Sequence, residues 1–532
     1  MKKLIFSLCF ALSGLALCAQ FNIIEVNKQL KDFPDVYDLS TPLNAGITCT
    51  YFLINGTDNL WDDASVERYP EPNKKNILPN RVVDETIKER FLNDTIKELI
   101  IYKDSIAGLL IKRCNSDRYN IRILILENGR WLNYCENGGG ASFEYWREWF
   151  YTTVLDLPNR LQRTLELKAV STDTLAFVNY VKQYGAEPKE FLLKALAQYP
   201  LVIYGEIHRS KVSWDLLSSL LIDPRFPETV GTIFVELPSY QQDEFDRFYA
   251  SKKLNTEILL DIMRSFQIDG WFDKGEYEFL INVWKLNQTL PANKQIRVIA
   301  TDEQLPYKSL HSKEDFENAR KNAMDRNTCM ADVVEHTLKT KADKRNCLFT
   351  VGFGHAYKSH VPGGYSSAEG QEPALSAGAQ LAQRLSDKSV FTIQRHVPCM
   401  TNNGAFGLVR QGLFDYVFEK NGNQPVAFNL DDSPFGREPY DADLDNAFDS
   451  RAGNYANNFD GYIFLQPLKD EDSDYILYDI VSDKFVNEIK RREAISGWKL
   501  YRSIKGELTK EKIIESLKEE DEGKKRFGYL FE

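Results

Sequence analysis

Five ionisable side chains stand at the ends of short apolar runs in the middle of this chain, and two of them are histidines. Glu206 and His208 close the run Leu201 to Tyr204 across Gly205. Glu236 ends Thr232 to Val235, and Asp302 ends Ile296 to Ala300. His355 follows Cys347 to Val351 through Gly352-Phe353-Gly354. Imidazole titrates near neutral pH, so a histidine beside a carboxylate can take a proton from water and pass it on. In that reading His208 is the base. Glu206 or Glu236 holds its tautomer, and His355 faces the developing oxyanion or protonates the leaving group. Two histidines and a carboxylate also suit a divalent metal. His208, Glu236 and His355 would then be the ligands, with Glu206 as base. Asp302 either joins the group or caps the next turn. Arg326 is a charge partner supplied by the helical stretch that follows. Tyr357 and His360 lie close in sequence and are weaker candidates. His311, His336 and His396 have no supporting pattern.

Such a group needs one edge of one sheet. A short unbroken apolar run bounded by glycine reads as a strand buried on both faces. Helical periodicity falls between the runs, at Val212 to Leu221, Gln241 to Ala250, Glu257 to Phe266, Gly275 to Asn287, Lys313 to Thr340 and Ala374 to Leu385. A fifth run is Val390 to Gln394, and a last one is Tyr462 to Leu465. The alternation predicts an α/β fold, a mostly parallel sheet flanked by helices. In such sheets ligands bind beyond the carboxyl ends of the strands, where these residues would gather.

Gly205-Glu206-x-His208, a strand ending in Glu236, and Gly352-x-Gly354-His355 together resemble the erythromycin esterase, ChaN, TraB and Tiki (haem-binding uptake) superfamily. Leu286-Asn287, Arg326-Asn327 followed by Met330-Ala331, and Leu375 to Leu385 with Gly378 inside it fit the same pattern. The resemblance spans about residues 185–466. The Glu-x-His spacing is that of ChaN, whereas the aromatic, Asn-rich segment after 400 looks more like the esterases. The resemblance implies one of three activities. Erythromycin esterases hydrolyse a macrocyclic ester with a histidine base, Tiki proteins are metal-dependent proteases, and ChaN binds haem.

The residues themselves favour a hydrolase that activates water with no cofactor and cleaves an ester, lactone or amide. The alternatives are a divalent-metal-dependent protease and a protein that binds haem or an iron complex. The chain has no Gly-x-Ser-x-Gly elbow, which argues against a serine hydrolase. The expected partner is a small-molecule or peptide substrate.

Composition narrows the rest. Net charge is −11 over 532 residues with no basic block, which excludes nucleic acid as a partner. Lys2-Lys3 followed by the apolar stretch Leu4 to Leu17 reads as an export signal over residues 1–19, cleaved after Ala19. A periplasmic or secreted protein is expected, with lipid anchoring at Cys18 as the rival reading. Of eight cysteines, six lie beyond that segment, and Cys114 with Cys135 flanks an apparent hairpin as the first disulfide to test. Residues 20–165 read as a separate α+β domain of unknown role that could carry a protein partner. In it Ile47 to Ile54 reads as a strand, Arg81 to Lys97 as a helix, Gly138-Gly139-Gly140 as a break, and the aromatic stretch Ser142 to Tyr151 as a core patch. Residues 166–470 form the α/β domain, and 471–532 read as a solvated helical tail.

Overall fold

Strands buried on both faces form the centre of the larger sheet in the computed structural model. It describes residues 21–55, 64, 85–114, 117–358, 374–400, 406–442, 450–472, 475–501, 504, 506–521 and 525–531. The chain divides at Lys168 into two compact units. The expected export signal, Cys18 and His360 lie outside the described residues.

The first unit is an antiparallel meander of β1 (Phe21–Gln29), β2 (Thr95–Tyr102), β3 (Ile106–Lys112), β4 (Tyr119–Glu127) and β5 (Arg130–Ala141), in that spatial order. Helix Pro42–Asn55 packs Ile47, Phe52 and Ile54 on one face, against Leu99, Leu109 and Leu124. Helix Phe143–Lys168 packs Trp146, Phe150 and Val154 on the other, against Ile100, Leu110 and Ile123. The aromatic stretch is therefore core, as its composition suggests. Ile47 to Ile54 is helical rather than a strand. Its β-branched and aromatic residues mimic strand composition, but the segment fills the space under a sheet that is already complete. The three consecutive glycines fall inside β5 and do not interrupt it. The part of Arg81 to Lys97 that is helical is Glu85–Asn93, and Thr95 opens a strand. The Cys135 side chain lies outside the described residues, so a Cys114–Cys135 bridge is not addressed.

The second unit holds a seven-stranded sheet. Its members are β6 (Leu201–Glu206), β7 (Val230–Pro238), β8 (Arg297–Asp302), β9 (Asn346–Gly352), β10 (Val390–Arg395), β11 (Val426–Asn429) and β12 (Gly461–Phe464). The order is β11-β12-β10-β6-β9-β7-β8. Every neighbouring pair is parallel except β11 and β12. Helices cover both faces. Lys211–Leu221 and Lys274–Thr289 belong to one core, while Arg326–Thr340 and Ala377–Leu385 belong to the other. This is the predicted fold class. The chain leaves β6 in one direction for β7 and β8, returns to insert β9, then crosses to β10 on the far side. The β6–β9 centre is thus where the winding reverses, the position at which open α/β sheets bind ligands.

Two expectations change. Lys313 to Thr340 is two helices, Lys313–Asn322 and Arg326–Thr340, because the Asp325 side chain caps the second one through Thr328 N. That break places Arg326 and Asn327 in a first helical turn. Residues after 471 are not a solvated tail. Phe485, Val486 and Ile489 of helix Asp483–Ser496 enter the main core, and Phe527 and Leu530 pack on Ile207, Val397 and Leu468. Among the described residues no helix is long and apolar enough to cross a membrane.

Candidate functional site

The strand order β6-β9-β7-β8 sets the four sequence-marked strand ends side by side. Glu206 pairs in register with Gly352, and Pro238 with Asp302. The register of β7 against β8 slips between Val235 and Pro238, and this irregularity re-aims Glu236 beside the site. Gly352 must lack a side chain. A Cβ there would lie 2.8 Å from His208 Cε1 and 2.9 Å from His208 Nε2.

His208 Nδ1 and Glu206 Oε1 are 2.5 Å apart, and His208 Nε2 lies 4.0 Å from Glu236 Oε2. The His208 side chain keeps 37% of its surface exposed, whereas Glu206 is buried. Burial works against a charged His208, but the Glu206, Glu236 and Asp273 carboxylates outweigh it and raise the imidazole to about 9. Burial also raises Glu206, with His208 opposing. One proton serves both groups, and the extra carboxylates favour placing it on the imidazole.

Glu236 is the hub. Its Oε1 accepts from Arg326 Nη2 at 2.6 Å and lies 3.5 Å from His355 Nε2. Its Oε2 accepts from Gly352 N at 2.8 Å. Burial would raise its pKa, but His355, His208, Arg326 and the Gly352 N–H bring it down to about 2. Arg326 also grips Asp302 with two hydrogen bonds of 2.8 and 2.9 Å. Asp302 is fully buried, and burial pushes it up to about 6 against the pull of Arg326. It supports Arg326 from behind.

His355 Nδ1 lies 2.7 Å from Asn327 Oδ1, and Ala377 N donates to the same oxygen at 3.0 Å. The Ala377 N–H identifies that atom as the amide oxygen. His355 Nδ1 therefore carries its proton and Nε2 holds the lone pair when the ring is neutral. Burial lowers His355 to about 4, assisted by Arg326 and His208. A neutral ring of this tautomer accepts at Nε2, so it does not suit the expected oxyanion-facing or proton-donating role near neutral pH.

All six sequence-marked residues, Glu206, His208, Glu236, Asp302, Arg326 and His355, are thus brought together. Tyr357 is buried in the core near Tyr440. His396 is locked between Tyr462 and Asp415 and serves the fold. Sequence reasoning left out Asn327 as a site residue, together with Trp271, Asp273, Glu276 and Arg526. Trp271 sets its ring at 77° against His208, with centroids 4.7 Å apart, and donates to Glu276 Oε2 at 2.7 Å. The Asp273-x-x-Glu276 spacing is a helix-start signal, and it could have drawn attention to this corner.

No family model and no curated protein matches the chain. Solved structures that resemble it include the erythromycin esterase EreC, crystallised as a mutant in its open conformation. That match has 12% identity and a TM-score of 0.34, and covers 52% of this chain and 92% of the other. A succinoglycan biosynthesis protein matches at 12% identity and a TM-score of 0.39, covering 56% of this chain and 98% of the other. Campylobacter jejuni ChaN, with cofacially bound haem, matches at 12% and 0.27, covering 42% and 94%. Likenesses of this size carry no argument about what the site does.

The donor set does not fit the metal reading. Both oxygens of Glu236 are engaged, one by a guanidinium, and a divalent cation there would face the fixed charge of Arg326. Among the described residues no group of three or more His, Cys, Asp and Glu side chains is arranged to hold a metal ion.

Proposed function

We propose that this chain is an exported, metal-independent hydrolase that cleaves an ester, lactone or amide. One observation carries the reading: the 2.5 Å contact between a buried carboxylate and a half-exposed imidazole, Glu206 Oε1 to His208 Nδ1. A carboxylate on Nδ1 fixes the tautomer that leaves the lone pair on Nε2 and stabilises the imidazolium formed when Nε2 takes a proton. His208 Nε2 removes a proton from water, the water oxygen attacks the carbonyl carbon, and the proton passes to the departing alkoxide or amine. The products are an acid and an alcohol or amine. The Glu236 carboxylate, which shares Arg326 with Asp302, also favours the imidazolium and so strengthens the base.

Because the base acts only when unprotonated, kcat/KM for the free protein rises with pH and levels off above about 9. Glu206→Gln keeps the shape but removes the charge. We expect hydrolysis of p-nitrophenyl esters to fall roughly 100-fold, the usual scale of general-base catalysis, and the pH midpoint to move toward ~6.5. A Glu206→Gln protein with unchanged rate and midpoint sinks the proposal. Stoichiometric metal whose removal abolishes activity, or a Soret band lost in His208→Ala, would select the metal or haem reading instead.

A further inference from the structure

His208 is held by more than Glu206. The peptide bond that leaves it is gripped at both ends by residues distant in sequence. Its carbonyl oxygen, on His208, accepts from Arg526 Nη1 at 2.5 Å across 318 positions. Its N–H, on Arg209, donates to Asp273 Oδ2 at 2.6 Å across 64 positions. Both bonds involve a charged partner, the stronger class. The grip is needed because Arg209 has φ 62°. A non-glycine residue in the left-handed region is strained and persists only where its surroundings enforce it. Losing either bond frees the 208–209 turn, and with it the backbone on which the His208 ring stands against Glu206.

Both anchors rest on rigid ground. The Arg526 backbone N donates to Glu471 O at 2.8 Å, its guanidinium lies over the Phe527 ring at 5.2 Å, and Phe527 is in the core that holds Ile207. Asp273 caps helix Lys274–Thr289 through Glu276 N at 3.0 Å and accepts from Trp214 Nε1 at 3.2 Å.

We infer that Arg526 and Asp273 are positioning residues for His208, clamping the 208–209 peptide so that the imidazole stays on Glu206. The clamp rests on the hydrolase reading only for what His208 then does. The charged groups around His208 are Glu206 on its own strand end, Glu236 from β7, Asp273 from the helix start, His355 from the β9 turn, and Arg209 and Arg526.

The test uses the full chain with Arg526→Gln, Arg526→Lys and Asp273→Asn. The first readout is the NMR titration of the His208 Cε1–H, assigned by its loss in His208→Asn. Removing a bystander cation would raise the His208 midpoint or leave it in place. Releasing the clamp lets the ring leave Glu206, so the midpoint falls from about 9 toward ~6.5. We expect the fall in Arg526→Gln, and partial recovery in Arg526→Lys, which keeps a donor. The second readout is p-nitrophenyl ester hydrolysis. There kcat should drop about tenfold or more with KM within about twofold, the signature of a misplaced group rather than lost binding. A folded Arg526→Gln with the wild-type midpoint or a higher one overturns the clamp. Should Arg526→Gln not fold, Arg526→Lys decides by the same readout, a midpoint at or above the wild-type one overturning the clamp; Asp273→Asn itself removes a carboxylate that raises His208, so only its kcat is read. If the wild-type chain hydrolyses no ester, the hydrolase reading fails while the titration still judges the clamp.

Discussion

His208 and His355 both stand two or three residues beyond the end of a parallel strand, and the protein treats them in opposite ways. His208 keeps 37% of its side chain exposed and is raised to about 9. His355 keeps 6% and is lowered to about 4. Burial disfavours the charged form of both rings. The difference is in the neighbours. His208 meets three carboxylates, Glu206, Glu236 and Asp273. His355 meets Glu236 alone, and Arg326 and His208 oppose it. The same sequence signal therefore yields one ring that carries a proton at neutral pH and one that does not.

Breaking the charge balance behind the two rings should have the largest effect. Arg326 is the cation shared by Glu236 and Asp302, and only 17% of its side chain is exposed. Arg326→Met leaves two buried carboxylates without their cation, and we expect a loss of about 3–5 kcal/mol by urea unfolding. The same variant should raise the His355 midpoint above about 4, since the guanidinium is one cause of its depression. A stability change under 1 kcal/mol would show that the carboxylates take up protons at little cost.

Next in size is the pH dependence that His355 contributes. Its folded pKa is about 4 against about 6.5 unfolded, so the unfolded chain binds the extra proton first as pH falls. Stability is therefore lost between about pH 6.5 and 4, by on the order of 3 kcal/mol, and the loss is complete below the folded pKa. Asp302, raised to about 6, acts in the opposite direction over part of this window, because its folded form binds the proton first. The informative quantity is thus the difference between wild type and His355→Asn. The variant should lose less stability on acidification. Parallel unfolding curves from pH 7 to 4 would mean that His355 is not held neutral.

Much of this arrangement was legible in the chain. The run Leu201 to Tyr204 marks a strand buried on both faces because parallel strands are covered on both sides, and the fixed direction of such strands then aligns Glu206, Glu236, Asp302 and His355. Arg326 followed from the helix that must return to β9. What stayed hidden depended on packing between distant segments. Nothing local separates Ile47 to Ile54 from a strand, since only the finished sheet above it makes a helix the better fit. The Lys- and Glu-rich surface of the last sixty residues masked Phe485, Ile489 and Phe527, which are spaced too widely to form a run. Arg526 reaches His208 across 318 positions, and no periodicity reports such a contact.

The smallest predicted effect sharpens the comparison most. Trp271 touches His208 edge-on and donates to Glu276, whose carboxyl is held well above its usual range by burial. The Trp271–Glu276 bond is worth about 1 kcal/mol. Trp271→Phe keeps a ring against His208 and removes only that donor. We expect stability to fall by about 1 kcal/mol and the His208 midpoint to stay near 9, because Glu206, Glu236 and Asp273 are untouched. Trp271→Ala also removes the wall that excludes water from one side of the imidazole. Water entering there weakens the attraction of all three carboxylates, so the midpoint should drop toward ~6.5. If Trp271→Phe alone moved it by a full unit, the carboxylates would not account for the raised value. The contrast between the two histidines would then rest on aromatic packing rather than on charge.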